Sequence, residues 1–430
     1  MESPQVFNII WTQILTYWWV VSPIVLFFIF QELWLGYKTA KYLSEINWII
    51  LEIRLPRRIE RTVKAMDHIF AALHAMHVGD IKTAERYFEG KVQEWLSLEI
   101  VGAASGTRFL IRLPDKFKNL AEAQIYAQYP SAEIKEVDDY TAYIPSDIPN
   151  QDYDLWGTEL ILTKSDPYPI LTYPAFEGPR TEQSFDPLSS LMEVLSLLKE
   201  GEQVWVQLLA KPIDDKFNKW KEEGEKEVAK LAGREVKSSG GGFNPLSAVG
   251  EFFGTVFPEV FAGGATEQKK DSKEKKFTPG EESVAKAIEH NVSKLGYEVQ
   301  IRVLYIAPTT IFSKAQGAAI LGSFKQFNTQ NLNGFKPNKM ASLKPKWYDF
   351  NKPLVERGKK KGLLEMYKKR DFRLPFAFLV KPPKNPNTFV LSTEELATVY
   401  HMPTSLIQAP AVVRLEAKKS EPPPILPLVE

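Results

Sequence analysis

Histidines and carboxylates are the first candidates for chemistry in this sequence, because the chain contains no cysteine. Of its five histidines, His74 and His77 lie one helical turn apart and could face one metal ion. No carboxylate stands at a matching offset, so positions on a helix surface and core edge are favoured over a metal site. Adjacent side chains such as Asp138 and Asp139 point to opposite sides of an extended chain, which favours a turn over a catalytic pair.

Nucleotide chemistry would require a glycine-rich turn followed by Lys and then Ser or Thr. Gly-Lys occurs at 90–91 and 358–359, where Val92 and Lys360 follow instead. The dinucleotide-binding glycine fingerprint, the nucleophile elbow and the His-Glu-x-x-His motif are also absent from the sequence. We therefore expect no catalytic residue, no cofactor, no metal and a protein that is not an enzyme.

A basic segment from Lys336 to Arg373 contains 13 Lys and Arg against four acidic residues and is interleaved with aromatics. This pattern suits phosphate backbones and stacked bases, and it equally suits anionic lipid or an acidic protein. A solvated loop that keeps the protein soluble is the simplest alternative. The candidate contact residues are Lys344, Lys346, Trp347, Lys359, Lys360, Lys361, Lys368, Lys369 and Arg370.

The N-terminus contains no charged residue from Ser3 to Gln31, and its centre reads ILTYWWVVSPIVLFFIF. Roughly 20 apolar residues suffice for a helix to span a bilayer, so the sequence predicts a single transmembrane helix. Lys and Arg follow this stretch and none precedes it, which places the bulk of the chain in the cytoplasm. The expected location is the inner (cell) membrane, single-pass; a buried core helix is the alternative.

The segment NWIILEIRLPRR (47–58) sets apolar residues beside a basic cluster. It could lie on the membrane surface against anionic lipid, or it could simply connect into the fold. The candidate membrane-surface contacts are Lys38, Lys41, Trp48, Arg54, Arg57 and Arg58.

The elements after residue 58 predict an α+β fold. Strand, strand, helix and strand patterns over 95–137 indicate a ferredoxin-like module, and 158–327 repeats the scheme around a flexible Gly/Lys-rich insertion at 234–278. We therefore predict a transmembrane helix followed by two ferredoxin-like α/β modules. The predicted divisions are 1–44 for the transmembrane helix and flank, 45–94 for juxtamembrane and amphipathic helices, 95–150 for the first module, 151–335 for the second, 336–374 for a basic aromatic loop region, 375–413 for a closing strand-helix element and 414–430 for a Pro-rich tail.

The closing element reads FVLSTEELATVYHMP (389–403). Ser392 and Glu395 have the spacing of a capping box, which predicts that a helix starts directly after a short strand. Leu396, Val399 and Tyr400 form its apolar face. A strand-to-helix corner that closes the domain explains the pattern by itself.

Five long stretches of the sequence occur together in one known family: AEAQIYAQYPSAEIKEVDDY (121–140), DPLSSLMEVLSLLKEGEQVWVQLL (186–209), FKQFNTQNLNGFKP (324–337), FVLSTEELATVYHMP (389–403) and RLEAKKSEPPPILP (414–427). They resemble the membrane-anchored N-terminal region of type IV secretion or conjugation ATPases of the coupling-protein type, whose motors are related to HerA and FtsK. The resemblance covers nearly the whole chain from about residue 45. It implies a partner ATPase, other secretion-system subunits, a ring-shaped homo-oligomer, and docking toward the motor through Ser392, Glu394, Glu395 and Tyr400.

In that family the ATPase domain follows the Pro-rich stretch, whereas this sequence stops at Glu430. The expected function is therefore a non-catalytic, membrane-anchored cytoplasmic subunit that docks or assembles a DNA or protein translocation ATPase at the membrane. One alternative is the N-terminal part of a split or truncated translocating ATPase. Another is a membrane-tethered DNA-binding module that uses residues 336–373.

Overall fold

The structure is a computed structural model. At residues 3–18, 20–21 and 24–25 it describes the backbone alone. The described residues are 3–56, 62–177, 185–214, 219–233, 278–338, 343, 349–370, 372 and 387–403.

Nine strands in the described part of the chain form one antiparallel sheet. Its order is β4-β1-β3-β2-β6-β7-β5-β8, and β9 also pairs with β7. The strands are β1 (Trp48–Arg54), β2 (Leu96–Ala103), β3 (Gly106–Pro114), β4 (Glu133–Glu136), β5 (Tyr153–Leu162), β6 (Gln203–Pro212), β7 (Gly296–Pro308), β8 (Phe335–Pro337) and β9 (Phe389–Ser392).

Helices cover both faces of the sheet. On one face α2, α3, α4, α7 and α9 contribute to the largest apolar core, and on the other face α8 packs over a second core. The helices are α1 (Ser3–Glu45), α2 (Lys64–Leu73), α3 (Lys118–Gln128), α4 (Ser189–Ser196), α5 (Trp220–Leu231), α6 (Pro279–Val292), α7 (Lys314–Phe324), α8 (Lys352–Lys369) and α9 (Thr393–Val399).

The central strands are apolar almost throughout because both of their faces are covered. In β2 and β6 nearly every residue is buried, on either side of the sheet. A strand with one solvated face would alternate apolar and polar residues. Glu99, which stands inside β2, is therefore buried too.

The α+β class is confirmed, but the predicted pair of ferredoxin-like modules is wrong. Strands from both predicted modules belong to one sheet, since β2 pairs with β6 from Leu96↔Ala210 to Ala103↔Gln203. The strand order is mirrored about this junction. From edge to centre, one half of the sheet reads β4-β1-β3-β2 and the other half reads β8-β5-β7-β6. One apolar core nevertheless runs beneath both halves, so the halves are parts of a single sheet.

Helix α1 continues well beyond the uncharged stretch seen in the sequence. Its second half carries Glu32, Lys38 and Lys41 and packs on residues 85–94 of the same chain. No helix in the described part of the chain is long and apolar enough to cross a membrane. The predicted transmembrane helix is therefore wrong, as is the single-pass inner-membrane placement derived from it, because charged side chains are costly inside a bilayer.

Two other predicted segments take a different form. Residues 48–54 form β1, which lies between β3 and β4, so this part of the proposed membrane-surface segment enters the fold. Residues 352–369, assigned to a basic aromatic loop region, form α8. The predicted insertion, apart from Thr278, and the Pro-rich tail lie outside the described residues.

Candidate functional site

A row of polar side chains crosses the centre of the sheet beneath α8. Glu99, Gln207, Arg302 and Glu159 are successive cross-strand neighbours on β2, β6, β7 and β5. All four are fully buried. A shift of one residue in any of these strands would move its polar side chain to the apolar face. The row therefore specifies the register of the four strands.

Arg302 joins the row by side-chain hydrogen bonds. Its Nε donates to Glu159 Oε1 at 3.3 Å, and its other nitrogens donate to Gln207 Oε1 at 3.1 Å and to Gln300 Oε1 at 2.9 Å. A further bond to the Met366 carbonyl, at 3.2 Å, ties the row to α8. A buried guanidinium is tolerated because it is paired and hydrogen-bonded.

Arg370 fastens the C-terminal end of α8 to the sheet. Its guanidinium donates to both carboxylate oxygens of Glu99 at 2.7 and 3.1 Å, and to both of Asp139 at 2.7 and 3.1 Å. Its remaining N–H donates to the Lys368 carbonyl at 3.1 Å. Burial alone would lower the pKa of Arg370, but Glu99 and Asp139 raise it above the ordinary value. Arg370 is therefore a charged clamp inside the protein.

Two tyrosines complete the network. Tyr140 donates its hydroxyl to Glu99 Oε2 at 2.8 Å, and its oxygen lies 2.8 Å from that of Tyr367. The Trp205 ring contacts both tyrosine rings, with centroid separations of 5.1 and 5.3 Å. Burial raises the pKa of both tyrosines well above its usual value, so both hydroxyls remain protonated.

The Glu99 carboxylate, at the centre of the network, is saturated as a hydrogen-bond acceptor. The Glu99 carboxylate accepts from Ser97, Gln207, Tyr140 and Arg370, which uses its roughly four lone-pair directions. A general base needs a free lone pair for the substrate proton. Among the described residues there is also no group of three or more His, Asp or Glu that could hold a metal ion. Glu99 is suited to holding α8 against the sheet through Arg370.

A cluster of aromatic side chains and cations flanks the network at the end of α8. The Arg112 guanidinium lies 4.1 Å from the Trp48 ring centre, and burial, with the nearby charge of Arg370, lowers the pKa of Arg112 to about 10. Trp48 and Phe372 each pack on Trp95, with ring centroids 5.6 and 5.8 Å away. Trp48, proposed for the membrane surface, is therefore part of the fold.

Several predicted nucleic-acid contacts on α8 are engaged inside the protein. Lys360 is buried and pairs with Asp154 at 2.7 Å and with Glu356 at 3.3 Å. Lys368 donates to the Ile144 carbonyl and to Ser146 Oγ. Arg370 belongs to the buried network described above.

The other predicted basic contacts differ in exposure. Lys369 pairs with Glu365 at the surface, 2.7 Å away. Lys359 lies 4.0 Å from Asp349, and Lys361 is exposed. Lys344, Lys346 and Trp347 lie outside the described residues.

The remaining predicted membrane-surface residues have partners within the chain. Lys38 lies 4.9 Å from the Trp34 ring centre, and Lys41 lies 3.9 Å from Glu45. Arg54 pairs with buried Glu52 at 2.8 Å. Arg57 and Arg58 fall in a stretch that the structure does not describe.

The strand-to-helix corner at 389–403 lies in the protein interior. The predicted capping box is present: Glu395 N donates to Ser392 Oγ at 3.3 Å, and Ser392 N donates to Glu395 Oε2 at 2.8 Å. The other carboxylate oxygen of Glu395 accepts from Ile170 N at 2.9 Å. Burial raises the pKa of Glu395 to about 7, although hydrogen bonds from Ser392 and Ile170 oppose the increase.

The other two residues predicted to face a motor are also buried. Tyr400 donates its hydroxyl to the Leu110 carbonyl at 3.0 Å. Glu394 pairs with Lys294 and lies 3.1 Å from His290. Burial alone would raise the pKa of Glu394, but Lys294 and its other hydrogen-bond donors lower it overall. In this fold the four side chains make internal contacts and do not form an exposed docking surface.

The histidine pair on α2 and its extension is not brought together as a metal site. The rings of His74 and His77 are stacked with centroids 6.0 Å apart, and His74 Nε2 lies 3.1 Å from the Ile213 carbonyl. Burial lowers the pKa of His74. No metal-binding group containing either residue occurs in the described parts of the chain.

Sequence reasoning missed the polar row, although a signal was present. Glu99 stands alone in the apolar run LSLEIV, and Arg302 stands alone in VQIRVLY. An isolated charge inside an apolar strand predicts a buried, paired group. The sequence could not show which strands are neighbours, and so the partners remained unknown.

Helix α1 has two unlike faces. One face contacts residues 85–94: Trp34 donates to the Tyr87 carbonyl at 2.8 Å, and Tyr42 donates to Glu94 Oε1 at 2.8 Å. Gly90 lies directly against the backbone of Lys38, where a Cβ would be 2.2 Å from the Lys38 carbonyl oxygen. Another face exposes the large apolar side chains Trp19, Leu26, Phe30, Leu33 and Tyr37, each 60–66% exposed.

Comparison with known proteins gives one family match. The model of a family described as Domain of unknown function (DUF8128) matches residues 40–414, which includes all the strands and the whole polar network. No curated protein matches the chain.

Proposed function

We propose that this chain, which belongs to the family described as Domain of unknown function (DUF8128), is a non-catalytic assembly subunit. In this proposal it docks an acidic protein partner through the outer face of α8, defined by Lys352, Leu354, Arg357 and Lys361. The resemblance seen in the sequence supports an ATPase of a translocation machine as that partner.

The observation that carries the proposal is the contrast between the two faces of α8. Its inner face buries Leu363, Leu364 and Tyr367 in the second core, and Arg370 clamps its C-terminal end. Its outer face exposes Arg357, Lys361 and the apolar Leu354. A helix held rigidly in this way loses little conformational entropy when a partner binds.

The charges of the outer face favour an acidic partner. The ion pairs of α8 involve Lys359, Lys360 and Lys369. By contrast, Arg357 and Lys361 form no ion pair with any residue that the structure describes. Exposed cations of this kind steer an acidic surface toward the helix and select against basic ones.

Nucleic acid is a weaker candidate for the same surface. Base stacking requires exposed aromatic side chains, and two of the interleaved aromatics, Tyr367 and Phe372, are buried. Lys360 and Arg370 are likewise unavailable to phosphate groups because each is buried and paired with carboxylates.

The test is affinity capture from native extract with the full chain as bait. We expect a captured partner that hydrolyses ATP, and we expect the double variant Arg357→Glu/Lys361→Glu to lose it. The charge-matched control is Lys314→Glu/Lys325→Glu, which reverses two exposed charges at α7 and should retain the partner. Equal capture by both double variants, or capture that nuclease treatment abolishes, would contradict docking of an acidic protein on α8.

A further inference from the structure

The exposed face of α1 presents its apolar side chains at regular spacing. Leu26, Phe30, Leu33 and Tyr37 follow one another at intervals of four, three and four residues, and Trp19 lies seven residues before Leu26. This is the heptad spacing in which helices pack side by side, with Leu26 and Leu33 at d positions and Phe30 and Tyr37 at a positions. We call these five residues the α1 stripe.

The α1 stripe has no cover within the described part of the chain. Each of its side chains is 60–66% exposed, whereas the opposite face of α1 is docked on residues 85–94. Monomeric soluble proteins rarely expose contiguous apolar patches of this kind, and larger ones mark interaction surfaces.

We propose that the α1 stripe packs against the α1 stripe of a second copy of this chain, forming a homodimer. A helix pair needs two stripes of the same period and length, and a second copy satisfies this requirement. The flanking e and g positions also permit self-pairing. They hold Phe27, Ile29, Trp34 and Gly36, so identical helices bring no like charges together there.

The exposed area is sufficient for such a contact. Aromatic and large aliphatic side chains exposed to this degree offer on the order of 100 Å² each. The stripe together with Phe27 would then bury about 600 Å² per copy, or roughly 1,200 Å² in all, which is the lower limit for a specific interface. The inference concerns a different surface from the outer face of α8, so either proposal can fail alone.

The experiment is sedimentation velocity on the full chain over a range of concentrations. We expect a species of twice the monomer mass of 49.0 kDa. Leu33→Glu should weaken dimerisation at least tenfold, because it places a carboxylate at the centre of the stripe. The matched control is Leu354→Glu on α8: the two leucines are 66% and 64% exposed, and the control should leave the dimer intact.

A second measurement does not depend on charge. The sequence contains no cysteine, so Leu33→Cys and Leu354→Cys each introduce a single thiol. Under reducing conditions Leu33→Cys should weaken dimerisation, because it removes most of an apolar side chain from the stripe, whereas Leu354→Cys should leave the dimer intact.

Three results would overturn the proposal. The first is a monomer at every concentration, and the second is a dimer that Leu33→Glu leaves unchanged. The third is a monomeric chain that co-sediments with phosphatidylcholine vesicles and loses this binding in Leu33→Glu, because the stripe would then contact lipid and not a second copy.

Discussion

The structural role of Arg370 differs from the one that its sequence context indicates. Within the run KKRDFR it resembles a surface cation, yet its guanidinium lies between the carboxylates of Glu99 and Asp139. Its position at the end of α8 makes it the link between the helix and the sheet. Removing it would leave Glu99 as a buried, uncompensated charge.

We therefore expect Arg370→Met to lower the free energy of unfolding by about 3–5 kcal/mol. Lys361→Met on the exposed face of the same helix should change it by less than about 0.5 kcal/mol. Urea denaturation of the full chain measures both values. Equal and small effects would show that Arg370 is not a structural clamp.

Glu395 provides a second prediction at the scale of a residue, since burial raises its pKa to about 7 in the folded protein. An acid whose pKa is raised by folding stabilises the protein most below its unfolded pKa, and loses that contribution as the pH rises through the folded value. The free energy of unfolding should therefore fall, relative to Glu395→Gln, between about pH 4.5 and 7. Denaturation curves for both proteins at pH 5 and 7.5 check this, and a pH-independent difference would refute it.

At the scale of elements, Gly90 holds α1 against the rest of the fold. It has a φ of 74°, and its Cα faces the Lys38 carbonyl. Gly79 has a φ of 75° but no atom within 4 Å of an added Cβ. The two glycines thus share the same left-handed conformation and differ in the contact with α1.

Gly90→Ala should detach α1, whereas Gly79→Ala should incur only the cost of the left-handed backbone, on the order of 1 kcal/mol. Limited proteolysis at neutral pH is the measurement, with cleavage within α1 as the readout. We expect Gly90→Ala to be cut in α1 at least several-fold faster than Gly79→Ala. Matching rates would mean that the Gly90 contact does not hold the helix.

Elements that a short sequence pattern specifies could be predicted from the sequence. The capping box of Ser392 and Glu395 has a fixed spacing and is present as predicted. The pairing of β2 with β6 joins residues one hundred or more positions apart, and no local pattern specifies it. In α1 the uncharged run predicts a membrane span, because hydropathy alone does not show that Trp34 docks on Tyr87.

At the scale of the whole molecule, the buried charged groups of the sheet and of the corner at β9 hold the fold together. Glu99, Arg302 and Arg370 fix strand register and the position of α8, and Glu395 closes the corner at β9. The exposed surfaces of the described residues include a basic helix face on α8 and the apolar α1 stripe. We propose both as surfaces for contact with other molecules, as a subunit that assembles partners requires.

The most direct test of this account is ATP hydrolysis by the purified full chain. The proposal of a non-catalytic subunit predicts no turnover above the buffer blank, with or without DNA, while the captured partner hydrolyses ATP under the same conditions. Turnover that co-elutes with the chain through successive purification steps would contradict it.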